Sequence, residues 1–200
     1  LVESSHVHLV NYNGFIVNEN FIHAISEIHQ TTLQDYLEQN EINEKLAINF
    51  LLQLSAGLAY CHNKNIVHYN LHPKSVFVEF NNNKPILKIG DFGQIKNCGN
   101  SHNEIFLNSE FTAPEVLSQS AQFSTKVDMW SLGKIFNYIC QFIQTPSQQS
   151  NQMKVSQSIS LSIYNKPQGI FSKINELMNC KSDKRISANC IFSLLNTKEW

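Results

Sequence analysis

The sequence predicts an α+β fold with a mainly helical body. Three observations carry this. Two short apolar runs near the N-terminus, 9–17 (LVNYNGFIV) and 21–26 (FIHAIS), are split by NEN, whose polar residues suit a hairpin turn. A second pair of strand-like runs, SVFVEF and PILKI, flanks NNNK. The longest periodic stretches, 44–63 and 128–143, repeat their apolar residues at helical spacing.

In chain order, the first pair gives two antiparallel strands. TTLQDYLEQN opens with a threonine cap and places Leu33 and Leu37 one turn apart, which predicts a short helix. Residues 44–63 carry Leu46, Phe50, Leu51, Leu54, Leu58 and Cys61 on one side, a long amphipathic helix whose apolar stripe is core. The second hairpin follows. The run DMWSLGKIFNYICQFI, 128–143, is apolar on nearly all sides, so it belongs at the centre of a helical layer, with Trp130, Ile135 and Ile139 nearly fully buried. Residues 171–179 and 187–195 give two further amphipathic helices, and 144–157, rich in Gln and Ser, reads as an exposed loop.

A chain of 200 residues with 42% hydrophobic and 16% charged residues fits one globular domain, 1–200. The net charge of −1 provides no basic field for nucleic acid. No apolar run is long enough to span a bilayer, so no membrane partner is expected. The five cysteines, Cys61, Cys98, Cys140, Cys180 and Cys190, form no C-x-x-C pair and read as free thiols of an intracellular, cytoplasmic protein. His6 and His8 are two residues apart, but an H-x-H without further ligands nearby is an ordinary loop or strand feature.

Several motifs, in order, resemble the eukaryotic protein kinase family. HVHLVNYNGFI is similar to the family's H-P-N-I-V-x-L-x-G. HYNLHPKS, 68–75, stands where the family has H-R-D-L-K-P-x-N, and D-F-G is intact at Asp91, Phe92 and Gly93. FTAPE (111–115), DMWSLG (128–133) and KRIS with Arg185 follow in register. The resemblance covers essentially the whole chain. It implies a partial N-lobe and hinge over 1–29 and a helical C-lobe over 30–200. The L-x-P after the catalytic position places it nearer the Ser/Thr branch.

The resemblance also implies roles. Glu115 would pair with Arg185, Asp128 would accept hydrogen bonds from the catalytic-loop backbone, and His68 and Phe92 would stack in an internal apolar column with Tyr12 above them. Glu27 and Phe77 would contact a nucleotide, and Asp91 with Ser75 would hold magnesium. Against this, the polar members of the catalytic cluster differ from the family pattern. The base position is Asn70, an amide without useful basicity. The phosphate-clamping lysine is His72, the second magnesium ligand is Ser75, and the supporting threonine is Asn108. Tyr69 stands for the arginine that pairs with a phosphorylated activation loop. No G-x-G-x-x-G or V-A-I-K lysine occurs in these residues, and the chain is expected to be a piece of a longer protein.

The expected function is therefore a kinase-like domain deficient in catalysis, a pseudokinase, with weak binding of ATP and Mg at most and a protein partner on its helical lobe. Two alternatives stand beside it: a weakly active Ser/Thr kinase whose glycine-rich loop and lysine lie upstream, and a relic without selected function.

Overall fold

The computed structural model describes residues 5–19, 22–92, 110–118, 124–143, 178–179 and 181–196. Strands β1 (Tyr12–Val17) and β2 (Ile22–Ser26) form a two-stranded antiparallel sheet, with an irregularity between Tyr12 and Gly14. The first expected hairpin is thus present. Its first strand starts at Tyr12 because residues 8–10 pair elsewhere: Val10 N–H donates to Ile89 O at 2.9 Å, and Ile89 N–H to His8 O at 3.0 Å.

The second sheet has the order β3-β4-β5, all antiparallel, from β3 (Thr31–Thr32), β4 (Val76–Asn81) and β5 (Lys84–Ile89). The two-residue turn of the β4–β5 hairpin is Asn82–Asn83, both with positive φ (48° and 61°). Asparagine tolerates that region better than most side chains, and paired positive φ values match the twist of a tight hairpin. In β4 the core-facing residues are Val76 and Val78, while Phe77 and Glu79 face the other side.

Helix α1 (Leu33–Gln39) is started by a reciprocal cap. Thr32 Oγ1 accepts from Asp35 N–H, and the Asp35 carboxylate accepts from Thr32 N–H. Helix α2 (Glu44–Asn63) has the span expected for it and is the axis of the fold. Phe50, Leu51, Leu54 and Leu58 are fully or almost fully buried. Each such side chain contributes about 1.5–3 kcal/mol through the apolar surface it removes from water. Gln53 is a polar exception among the buried residues of this helix. Its Oε1 accepts from Leu87 N–H at 2.7 Å and its Nε2 donates to Pro85 O at 3.2 Å, so it serves the β5 backbone.

A short helix α3 (Pro114–Leu117) precedes α4 (Lys126–Cys140), and α5 (Ala188–Asn196) packs on α2. In α4, Ile135 and Ile139 are fully buried, as the sequence requires. Trp130 is not: it is only partly buried. Its ring lies under the Arg185 guanidinium (5.0 Å) and Lys134 Nζ (5.3 Å). Cations over the indole face are neighbours that an all-apolar reading misses. The regular helix stops at Cys140, and Ile143 instead forms an isolated bridge with Ile42. Residues 144–157 and most of 171–179 lie outside the described residues. No helix among the described residues is long and apolar enough to cross a membrane.

Candidate active site

The site begins where α2 ends. Asn65 has φ 57°, and Ile66 N–H donates to Cys61 O at 2.9 Å, which turns the chain out of the helix. Two residues later the backbone meets Asp128 in the first turn of α4. Asp128 is completely buried. Its Oδ2 accepts from His68 N–H at 2.9 Å and its Oδ1 from Tyr69 N–H at 2.9 Å. His62 Nε2 lies 2.9 Å from Oδ2. Three donors around one carboxylate offset the cost of taking it out of water. They also hold Tyr69 at φ 66°, a left-handed conformation that is uncommon for a bulky residue.

His68 ties this loop to the segment after β5. Its Nε2 lies 2.7 Å from Gly90 O, and a carbonyl can only accept, so Nε2 carries the proton. Nδ1 is then free to accept from Asn70 N–H, at 3.3 Å. The His68 ring packs on Phe92 at 4.6 Å between centroids. Phe92 N–H in turn donates to the Tyr12 hydroxyl at 3.4 Å. Gly90 is glycine for want of space: a Cβ there would come within 2.7 Å of Val10 and 2.8 Å of the Phe77 ring. Asp91 follows with φ 59° and is exposed.

Asn70, His72 and Ser75 lie on the same loop. Asn70 is buried, 5% exposed. Ser75 is fully buried and its hydroxyl is engaged locally: Oγ accepts from His72 N–H at 3.0 Å and donates to His72 O at 2.9 Å. That reciprocal pair closes the single 3₁₀ turn Pro73–Ser75. His72 Nδ1 is buried and has no hydrogen-bond partner among the described residues. Burial holds the His72 imidazole below its ordinary pKa, and the opposing pull of the Asp91 carboxylate does not restore it. His72 is therefore neutral near pH 7.

The family model described as the protein kinase domain matches residues 1–196 of this chain. The chain belongs to the protein kinase domain family. Its mixed α and β content and two small sheets are those of this kinase domain.

Within the kinase domain the remaining expected residues are placed as follows. Glu115 and Arg185, 70 residues apart, form a two-pronged ion pair: Nη1 to Oε1 at 2.6 Å and Nη2 to Oε2 at 3.1 Å. Arg185 Nη1 also donates to Lys126 O at 2.9 Å, while Lys126 Nζ donates to Arg185 O. Burial, the largest single influence, pushes the Glu115 carboxyl up, but the Arg185 hydrogen bonds and charge together with a backbone hydrogen bond outweigh it and hold the group below the usual carboxylate range. Glu27, expected to touch a nucleotide, has its carboxylate 2.8 Å from Lys88 Nζ, and that hydrogen bond lowers its pKa. Phe77 has the His29 ring stacked on it at 4.6 Å. Gly93 and Asn108 lie outside the described residues. His6 stacks on Tyr60, and His8 Nδ1 lies 3.0 Å from Leu87 O.

Three participants were not singled out from sequence: His62, Lys88 and His29. For Lys88 a signal exists. The β4–β5 register sets it directly opposite Phe77, hence on the face that also carries Glu79. For His62, in the last turn of α2, and His29, in the segment between β2 and β3, the contacts are long-range and no local pattern marks them.

Proposed function

We propose that this kinase domain is a pseudokinase of the Ser/Thr-like branch, transferring phosphate poorly and working as a binding module that presents its helical lobe to a protein partner. The observation that carries this reading is Asn70: the loop around it is held by Asp128 and His68, yet its own side chain is an amide and cannot take a proton from a substrate hydroxyl. General-base assistance contributes about 10²–10⁴-fold in rate. The neighbours point the same way. His72 is neutral and desolvated, and the Ser75 hydroxyl is committed to its own turn. The His29 ring covers a face of Phe77, so an aromatic base using that face would have to displace it, in keeping with weak nucleotide binding.

One observation favours a second reading, a weakly active Ser/Thr kinase. Asp91 is exposed, in a left-handed turn anchored by Phe92, and so is available to a magnesium ion. Phosphoryl transfer depends mainly on positioning and electrostatics, so loss of the base alone does not abolish it. The test is ATP-dependent phosphorylation of a generic Ser/Thr substrate by the purified chain, against Asp91→Ala. Turnover that disappears in that variant establishes the second reading. A titration with nucleotide, with and without magnesium, separates a nucleotide-binding module from one that binds protein alone.

A further inference from the structure

The face of β4–β5 that looks away from the core gathers three metal-ligating side chains. Glu27 and His29 come from the segment linking β2 to β3, and Glu79 comes from β4. One ligand atom from each lies within 4.8 Å of the others. The His29 side chain is only 4% exposed, and both of its ring nitrogens are buried without a hydrogen-bond partner among the described residues. Its Nδ1 is nevertheless 3.1 Å from Glu79 Oε1, a close approach whose angle is wrong for a hydrogen bond. An orphaned buried imidazole costs about 1–3 kcal/mol, so this arrangement calls for a partner.

A cation between the two atoms meets that need. Two ligand atoms each about 2.1 Å from a tetrahedral zinc stand about 3.4 Å apart, close to the spacing of Nδ1 and Oε1. We propose that Glu27, His29 and Glu79 form a site for a divalent transition-metal ion of the zinc class, which staples the 27–30 segment to β4 beside the Phe77 stack. An imidazole nitrogen with two carboxylates suits zinc better than magnesium or calcium, which prefer all-oxygen shells. Three protein ligands leave a fourth position for water.

The competing occupant is Lys88. Its Nζ lies 2.8 Å from Glu27 Oε1 and 3.1 Å from Glu79 Oε2. It leaves Glu79 Oε1, the oxygen facing His29, unoccupied by the ammonium. The two carboxylates are therefore already gathered about a positive charge, and metal binding exchanges the hold of an ammonium on Glu27 for that of a dication. The four-carbon lysine stem can swing to solvent without disturbing the strand.

The test titrates the full chain with Zn²⁺ alone by calorimetry, and with Co²⁺ alone by visible spectroscopy. The variants are His29→Phe, which keeps a ring on Phe77 while removing both nitrogens, Glu79→Gln and Lys88→Met. One ion is expected per chain, with affinity lowered about 10–100-fold or more in His29→Phe and Glu79→Gln. Lys88→Met is expected to bind more tightly. The cobalt spectrum should show tetrahedral bands without thiolate charge transfer. The inference is overturned if His29→Phe binds as well as the parent, if thiolate charge transfer shows that cysteines hold the ion, or if no binding occurs at micromolar metal.

Discussion

Asp128 holds the Tyr69 backbone amide at 2.9 Å from Oδ1, and Tyr69 carries φ 66°. The buried carboxylate and the left-handed turn sustain each other: the turn aims two successive amides at one side chain, and the side chain offsets the strain. Asp128→Ala is expected to orphan three donors, His68 N–H, Tyr69 N–H and the His62 ring. At about 1–3 kcal/mol for a buried unsatisfied group, and less for the part-buried Tyr69 amide and His62 ring, the loss should be about 2–3 kcal/mol. Urea unfolding followed by circular dichroism measures it. A midpoint within error of the parent would show that the loop does not depend on Asp128.

The Glu115–Arg185 pair joins the first turn of α3 to the turn before α5. Arg185 is nearly fully buried, so removing its partner strands a charge. Glu115→Ala should cost about 3 kcal/mol, the lower end for a broken buried pair because Glu115 is partly exposed. The pH dependence has a definite sign. Glu115 has a depressed folded pKa, so its contribution is present above the unfolded carboxylate value and is lost as pH falls through the folded one. The stability gap between the parent and Glu115→Gln should therefore narrow in acid. A gap that stays constant down to the lowest pH at which both fold would contradict the ion pair.

Gly57 lies in the interior of α2, where alanine is normally about 1 kcal/mol better than glycine. Here the close approach decides the outcome instead. A Cβ at 57 would come within 2.9 Å of His8 O, the carbonyl that accepts from Ile89 N–H, and 3.1 Å of the Ile89 side chain. Gly57→Ala is expected to destabilise the domain despite its better helix propensity, by pushing the 8–10 segment off β5. Faster hydrogen exchange at the Val10 and Ile89 amides would report that displacement. A raised melting temperature with unchanged protection would refute it.

Much of the scaffold was legible because its signals are local. The Thr32 cap, the apolar stripe of α2 and the NNNK turn each fix an element within a few residues. The Glu115–Arg185 and Asp128–loop contacts span long separations and were legible only through family resemblance. Trp130 is expected to be nearly fully buried because its neighbours in α4 are apolar, but it is only partly buried, with the Arg185 guanidinium, brought from elsewhere in the chain, 5.0 Å from its ring. Glu27 and Phe77, which the resemblance implies as nucleotide contacts, lie beside Lys88 and His29. Register across β4–β5 exposes that face, but it cannot say that the 27–30 segment folds onto it.

The last prediction concerns Asn70. Restoring a carboxylate alone, Asn70→Asp, is expected to leave phosphoryl transfer at the level of the Asp91→Ala control. A base accelerates the reaction only if the phosphate is already held. His72 is neutral near pH 7, since burial lowers its pKa, so it brings no positive charge to a γ-phosphate. The Ser75 hydroxyl bonds both ends of His72, which leaves it little capacity for a magnesium ion. Combining Asn70→Asp with His72→Lys and Ser75→Asn, in a longer protein that supplies the glycine-rich loop and V-A-I-K lysine, replaces all three at once and should raise ATP-dependent phosphorylation above the single change. The comparison of the parent, the single variant and the triple variant, each with and without Asp91→Ala, reads this directly. Appreciable Asp91-dependent turnover in the parent would show that HYNLHPKS is a working catalytic loop with unusual chemistry. Turnover in Asn70→Asp alone would show that the proton acceptor was the one missing part, and that His72 and Ser75 already hold the phosphate well enough.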